Sequence, residues 1–152
     1  MEVITNKYNF NSEEYLKILL KQYVKKRVFF YLVLFAIWAF LLPGSNNWLL
    51  FIGLLIFIMV LNYFSYRRYA FSKENRNFIV PRTYTFTESE VKIQKENKEE
   101  EIVPWDYFVK FVKLGNHYLL HTNQTNFIPV SKSIFKNEID QKLFEKYARQ
   151  IS

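Results

Sequence analysis

Residues 28–66 read VFFYLVLFAIWAFLLPGSNNWLLFIGLLIFIMVLNYFSY, without a single Asp, Glu, Lys, Arg or His. A bilayer core about 30 Å thick takes on the order of 20 apolar residues per spanning helix. The half from Trp48 to Tyr66 meets that length. The half from Val28 to Leu42 is shorter, but Tyr23 and Val24 extend it while Lys25, Lys26 and Arg27 snorkel toward the headgroups. Pro43-Gly44-Ser45-Asn46-Asn47 breaks the run between the halves. The stretch predicts a two-helix transmembrane hairpin. Two helices apolar on every side need either a large core or lipid, and a chain of 152 residues leaves little sequence to wrap them. A secretory signal fits poorly, because residues 1–27 precede the run and no small-residue cleavage site follows it.

The charge distribution supports the same reading. Residues 1–14 carry a net −2, residues 15–27 a net +5, residues 67–76 a net +3 and residues 77–152 a net +1, within a total of +7. Lys21, Lys25, Lys26 and Arg27 on one side, with Arg67, Arg68, Lys73 and Arg76 on the other, form a collar around the apolar run. The turn between the halves is uncharged, so the Lys/Arg bias places both termini in the cytoplasm. The collar suits the anionic headgroups of membrane lipids, each cation contributing about 1 kcal/mol near such a surface. A nucleic-acid interface is not expected, because the basicity is absent from residues 77–152. Trp48, Tyr63, Tyr66, Tyr69 and Phe71 stand where amphipathic rings anchor a span at the interface.

Working outward, residues 3–10 (VITNKYNF) are rich in strand formers. Asn11 or Ser12 then caps a helix with Glu13 and Glu14 in its first turn. Leu16, Leu19, Leu20, Tyr23 and Val24 share one side of it, and Lys17, Lys21 and Lys25 another. This basic amphipathic segment either lies at the interface or runs straight into the first span. Beyond the hairpin, helix is expected to continue through residues 67–80 and to stop before Pro81.

From residue 82 the period changes. RTYTFT sets Tyr84 and Phe86 against three threonines, and Val91–Gln94 reads as a second strand. Ile102-Val103, Val109–Leu114, His117–Thr122 and Phe127–Val130 continue the series, with Gly115-Asn116 as a turn. Ile139, Leu143, Tyr147 and Ile151, flanked by Phe144, then mark an amphipathic helix begun by Asn137 and Asp140. The division expected is a strand and basic helix (1–27), a hairpin (28–66), a juxtamembrane helix or linker (67–81) and a β-sheet module with a C-terminal helix (82–152). The fold class is an α+β membrane protein.

Chemistry-bearing groups are sparse. The chain has no cysteine, which removes disulfides and thiol catalysis. His117 and His121 fall on a strand, where four residues span about 13 Å, too far for one zinc ion with bonds near 2 Å. Glu96, Glu99, Glu100 and Glu101 mix with Lys95 and Lys98 as a solvated charged loop. No catalytic residue, metal site or cofactor is expected, and the chain does not read as an enzyme. Trp105 is expected first as a core residue; with Tyr107 and Phe108 it could instead form a platform for a ligand or partner. Asn62, the most polar group in the second span, either meets interfacial water or bonds across helices, with Gly53 permitting the close approach of a homo-oligomer.

The layout resembles the YcxB-like family of small bacterial membrane proteins. The matching stretches are the Ser-Glu-Glu-Tyr-Leu helix start at residues 12–16, Tyr84–Glu88, Val91–Ile93, and Pro104-Trp105 followed by Phe108–Lys110. Asn116–Leu120 and Phe127–Phe135 complete them. The C-terminal part is also similar in layout to bacterial pleckstrin-homology-like domains. The resemblance implies an architecture and a bacterial inner membrane; it implies no reaction. The leading expectation is a membrane-anchored cytoplasmic binding module with an unknown protein partner. An oligomeric channel or transporter subunit is the alternative, and a membrane-associated enzyme comes third.

Overall fold

Glu13 and Glu14 complement the positive end of a helix that begins at Ser12 and runs without a break to Leu41 (α1). In this computed structural model the described residues are 1–41, 48–73, 75, 79–96, 99–124 and 126–151. The turn expected at Pro43–Asn47 and the collar residue Arg76 lie outside them. The basic segment and the first apolar run are thus one helix rather than an interfacial helix followed by a span. A second helix, α2, covers Trp48–Ala70 and carries Arg67 and Arg68 in its last turn. It is long and apolar enough to cross a membrane. Helix was expected to continue toward Pro81, but α2 stops at Ala70. Asn75 is buried there, and its amide donates to the Tyr69 carbonyl (2.6 Å) and the Ser72 hydroxyl (3.1 Å). It thereby satisfies one of the carbonyls a helix end leaves open.

The chain divides into two units, Ser12–Asn77 and the combination of Met1–Asn11 with Phe78–Ser152. Among the described residues the second holds seven strands and a helix: β1 Val3–Ile4, β2 Arg82–Phe86, β3 Glu90–Lys95, β4 Glu101–Pro104, β5 Lys110–Leu114, β6 His117–His121, β7 Phe127–Ser131 and α3 Glu138–Ala148. Two antiparallel sheets result, ordered β1-β2-β3-β4 and β5-β6-β7. The sequence grouped residues 3–10 with the basic helix, but the pairing is with β2. Val3 faces Phe86, Ile4 faces Thr85, and Tyr8 bridges Arg82. The segment 12–77 is therefore an insertion between two neighbouring strands of one sheet.

Alternation sets the core. In β2, Arg82, Tyr84 and Phe86 are buried and the threonines between them half-buried. Tyr84 donates to the Pro129 carbonyl (2.9 Å), which ties β2 to β7 of the other sheet. Gly115 supplies the positive φ (60°) of the two-residue turn between β5 and β6. Asn137 caps α3 by accepting from the Asp140 amide (2.8 Å). The buried face of α3 is Phe144, Tyr147 and Ala148. Of the stripe predicted from Ile139, Tyr147 is buried, Leu143 and Ile151 are half-buried, and Ile139 is 72% exposed. The phenylalanine expected to flank the stripe is the centre of the buried face. Phe144 meets the rings of Phe86 (4.5 Å), Tyr118 (5.1 Å), Phe135 (5.2 Å), Phe111 (6.0 Å) and Trp105 (6.3 Å).

Candidate functional site

In the helical unit, side chains that would form a core elsewhere are exposed. Phe29, Leu32, Phe35 and Phe40 of α1 and Leu49, Leu50, Phe57 and Phe64 of α2 all face outward. Before Ala70, α2 buries no residue. Soluble monomers rarely leave so large an apolar surface uncovered. α1 and α2 touch through ring pairs that run in opposite chain directions: Tyr15–Tyr69 (6.2 Å), Tyr23–Tyr66 (5.4 Å) and a stacked Trp38–Phe51 (4.9 Å).

The collar cations Lys21, Lys25, Lys26, Arg27, Arg67, Arg68 and Lys73 are exposed. Among the described residues every ion pair lies in the sheet unit: Lys7–Glu96, Lys92–Glu90, Lys95–Glu101 and Lys113–Glu145. Glu96 and Glu101, two of the four glutamates read as a solvated loop, thus pair with Lys7 of the segment after β1 and with Lys95 at the end of β3. Among the described residues no carboxylate forms an ion pair with a collar cation. Two of the collar arginines lie over rings instead, Arg27 over Phe30 (5.9 Å) and Arg67 over Phe71 (6.0 Å).

Asn62 does not reach across to another helix. Its amide donates to the Ile58 carbonyl one turn back (2.7 Å), the local bond available to a polar side chain inside an apolar helix. A side chain added at Gly53 would meet nothing within 4 Å, so Gly53 marks no close approach within the unit.

In the sheet unit, Trp105 follows β4 in a single 3-10 turn, Trp105–Tyr107. It is 4% exposed, stacks on Phe86 (6.1 Å) and donates its indole N–H to the Thr87 carbonyl (2.9 Å). Phe108 is 3% exposed. The three residues considered as a platform therefore separate: Trp105 and Phe108 pack inward and only Tyr107, 57% exposed, faces out. Ile102 and Val109 are exposed on either side of it in the chain, and β4 is an edge strand, paired on one side by β3.

His117 and His121 lie on β6 as expected, the first half-buried and the second buried beside Phe127 (5.5 Å). Among the described residues no group of three His, Cys, Asp or Glu could hold a metal ion.

One polar cluster escaped the sequence reading. Lys113 and Tyr118 both donate to Glu145, the lysine at 2.5 Å, and Gln141 donates to the Tyr118 hydroxyl (2.7 Å). The Lys113 ammonium first, then the Tyr118 hydroxyl, holds the Glu145 carboxyl below the usual carboxylate range. Burial, reinforced by the bond to Glu145, pushes the Tyr118 phenol up. Burial likewise raises Tyr84 to about 12. The members come from β5, β6 and α3, so no local pattern announced them.

No curated protein and no solved structure matches the chain. Residues 86–148, from the end of β2 through α3, match the family described as YcxB-like protein. That stretch is thus a YcxB-like domain, as the residue pattern led us to expect.

Proposed function

We propose that this protein is a membrane-anchored binding module, in which α1 and α2 insert as a two-span anchor and the sheet unit presents a surface to a partner. The observation that carries the reading is the exposed apolar surface of α2, which lacks a buried residue over its spanning length and ends in Arg67-Arg68. Lipid is the solvent that such a surface fits. α1 contributes Val28–Leu41 and reaches span length with Tyr23 and Val24, its Lys25, Lys26 and Arg27 snorkelling. The uncharged link and the basic flanks orient both termini to the cytoplasm of a bacterial inner membrane.

Within the sheet unit, the partner surface is the exposed set Ile102, Tyr107 and Val109 at the β4–β5 corner, beside the open edge of β4. An edge strand flanked by apolar side chains accepts an extended segment of another protein. A channel is the weaker reading, since residues 28–66 bring no Asp, Glu, Lys, Arg or His into the bilayer. Crosslinking mass spectrometry on native membranes tests the proposal. A partner crosslinked from Lys92 or Lys110 and lost on Tyr107→Ala supports it. Full release of the protein by alkaline carbonate, or crosslinks unchanged by Tyr107→Ala, contradicts it.

A further inference from the structure

The helical unit holds a half-open groove of ≈ 410 Å³ between α1 and α2. Val28 and Leu32 form one wall and Met59 stands on the other, so its body is apolar. Its polar side chains are four, Tyr23, Tyr31, Asn62 and Tyr63. The Tyr23 and Tyr31 hydroxyls bond to each other, and the Asn62 amide is committed to Ile58. Tyr23, Arg27 and Tyr31 recur every fourth residue and share one face of α1. Arg27 is exposed and no carboxylate among the described residues pairs with it. From Tyr23 to Leu32 the groove runs roughly 14 Å along the helix, at 1.5 Å per residue. It thus begins at the basic turn and ends in the uncharged run.

We infer that this groove is a site for one anionic glycerophospholipid, with an acyl chain against Val28, Leu32 and Met59, the ester region at Tyr31 and Asn62, and the phosphate at Arg27. The inference rests on the membrane reading above. Charge complementarity selects the occupant: an apolar slot takes any chain, but a guanidinium on the tyrosine stripe, over Phe30 and without a carboxylate partner among the described residues, takes a phosphate at the mouth of the slot. A zwitterionic lipid offers the same phosphate with a cation attached and binds more weakly.

Native mass spectrometry of the full chain in detergent, titrated with dioleoyl-phosphatidylglycerol or dioleoyl-phosphatidylcholine, tests it. The expected result is one retained phosphatidylglycerol, held about fivefold or more tighter than phosphatidylcholine, the size of one cation's attraction. Arg27→Gln is expected to abolish that preference. Val28→Trp and Met59→Trp, which fill the groove from opposite walls, are expected to weaken retention of both lipids about tenfold, as displacing two methylenes would. Equal retention of the two lipids by the unaltered chain overturns the inference, and this comparison requires no variant to fold. Retention unchanged by both tryptophan variants overturns it too, as does a dimer that the variants dissociate, since a second copy then fills the groove. Flotation with liposomes separates the two levels. A chain that floats without lipid preference loses only the groove, whereas one that does not float loses the anchor as well.

Discussion

Val3 pairs with Phe86 across the β1–β2 ladder, though the whole of α1 and α2 lies between them in the chain. Both are buried, and Thr5 extends the contact by exchanging hydrogen bonds with the Tyr84 main chain. The sheet unit is therefore closed by residues from both sides of the insertion. Replacing residues 12–77 with a short Gly-Ser linker is expected to leave a water-soluble protein with cooperative unfolding. Removing residues 1–7 from that protein is expected to broaden or abolish the transition. Urea unfolding followed by tryptophan fluorescence checks both.

Phe144 is expected to be the costliest single truncation in the sheet unit. It sits among five aromatic rings contributed by both sheets and their connections. Phe144→Ala is expected to cost about 3–5 kcal/mol, the range for a fully buried aromatic. Ile139→Ala, on the exposed side of the same helix, is expected to change stability by less than about 0.5 kcal/mol. Chemical denaturation of the linker protein measures the difference.

That contrast shows what could and could not be read from sequence. Strand positions followed from alternation, because a period of two says which side chains share a face: Tyr84 with Phe86, and Val91 with Ile93. The helix stripe was legible in period but only part of it turns inward: Tyr147 is buried with Phe144, while Ile139 is exposed. Ile139 and Leu143 are as apolar as Phe144, and only packing against the two sheets decides which sector of α3 faces inward. Arg82 was passed over because arginine is seldom buried, yet strand parity puts it with Tyr84 and it is 3% exposed. The β1–β2 pairing was invisible for a simpler reason. Long-range pairing leaves no local mark, so the strand read within residues 3–10 came without its partner.

Trp105 separates structure from recognition. Trp105→Phe leaves the Thr87 carbonyl without its indole donor and is expected to cost about 1–2 kcal/mol. Partner crosslinking at the β4–β5 corner is expected to persist in that variant. Tyr107→Ala is expected to do the reverse, leaving the unfolding midpoint unchanged and removing the crosslink.

Stability is expected to fall at both ends of the pH scale. Glu145 is held below the usual carboxylate range by Lys113 and Tyr118, so its contribution is present above about pH 4.3 and is lost as pH falls through the lowered value. Tyr84 and Tyr118 are raised, chiefly by burial, so their contribution is intact below about pH 10 and declines above it. For Tyr84 the decline continues through about 12. Glu145→Gln is expected to flatten the acid limb and Tyr84→Phe the alkaline limb. Urea midpoints between pH 3 and pH 11 resolve the two.

The two-span anchor is the centre of the account, and the absence of cysteine makes it directly measurable. Single cysteines at Ser45 and at Ser89 are probed with a membrane-impermeant maleimide in intact bacterial spheroplasts. The account predicts that S45C labels from outside, and that S89C labels only after the membrane is permeabilised. Labelling of S89C in intact cells, or protection of S45C until permeabilisation, would contradict it.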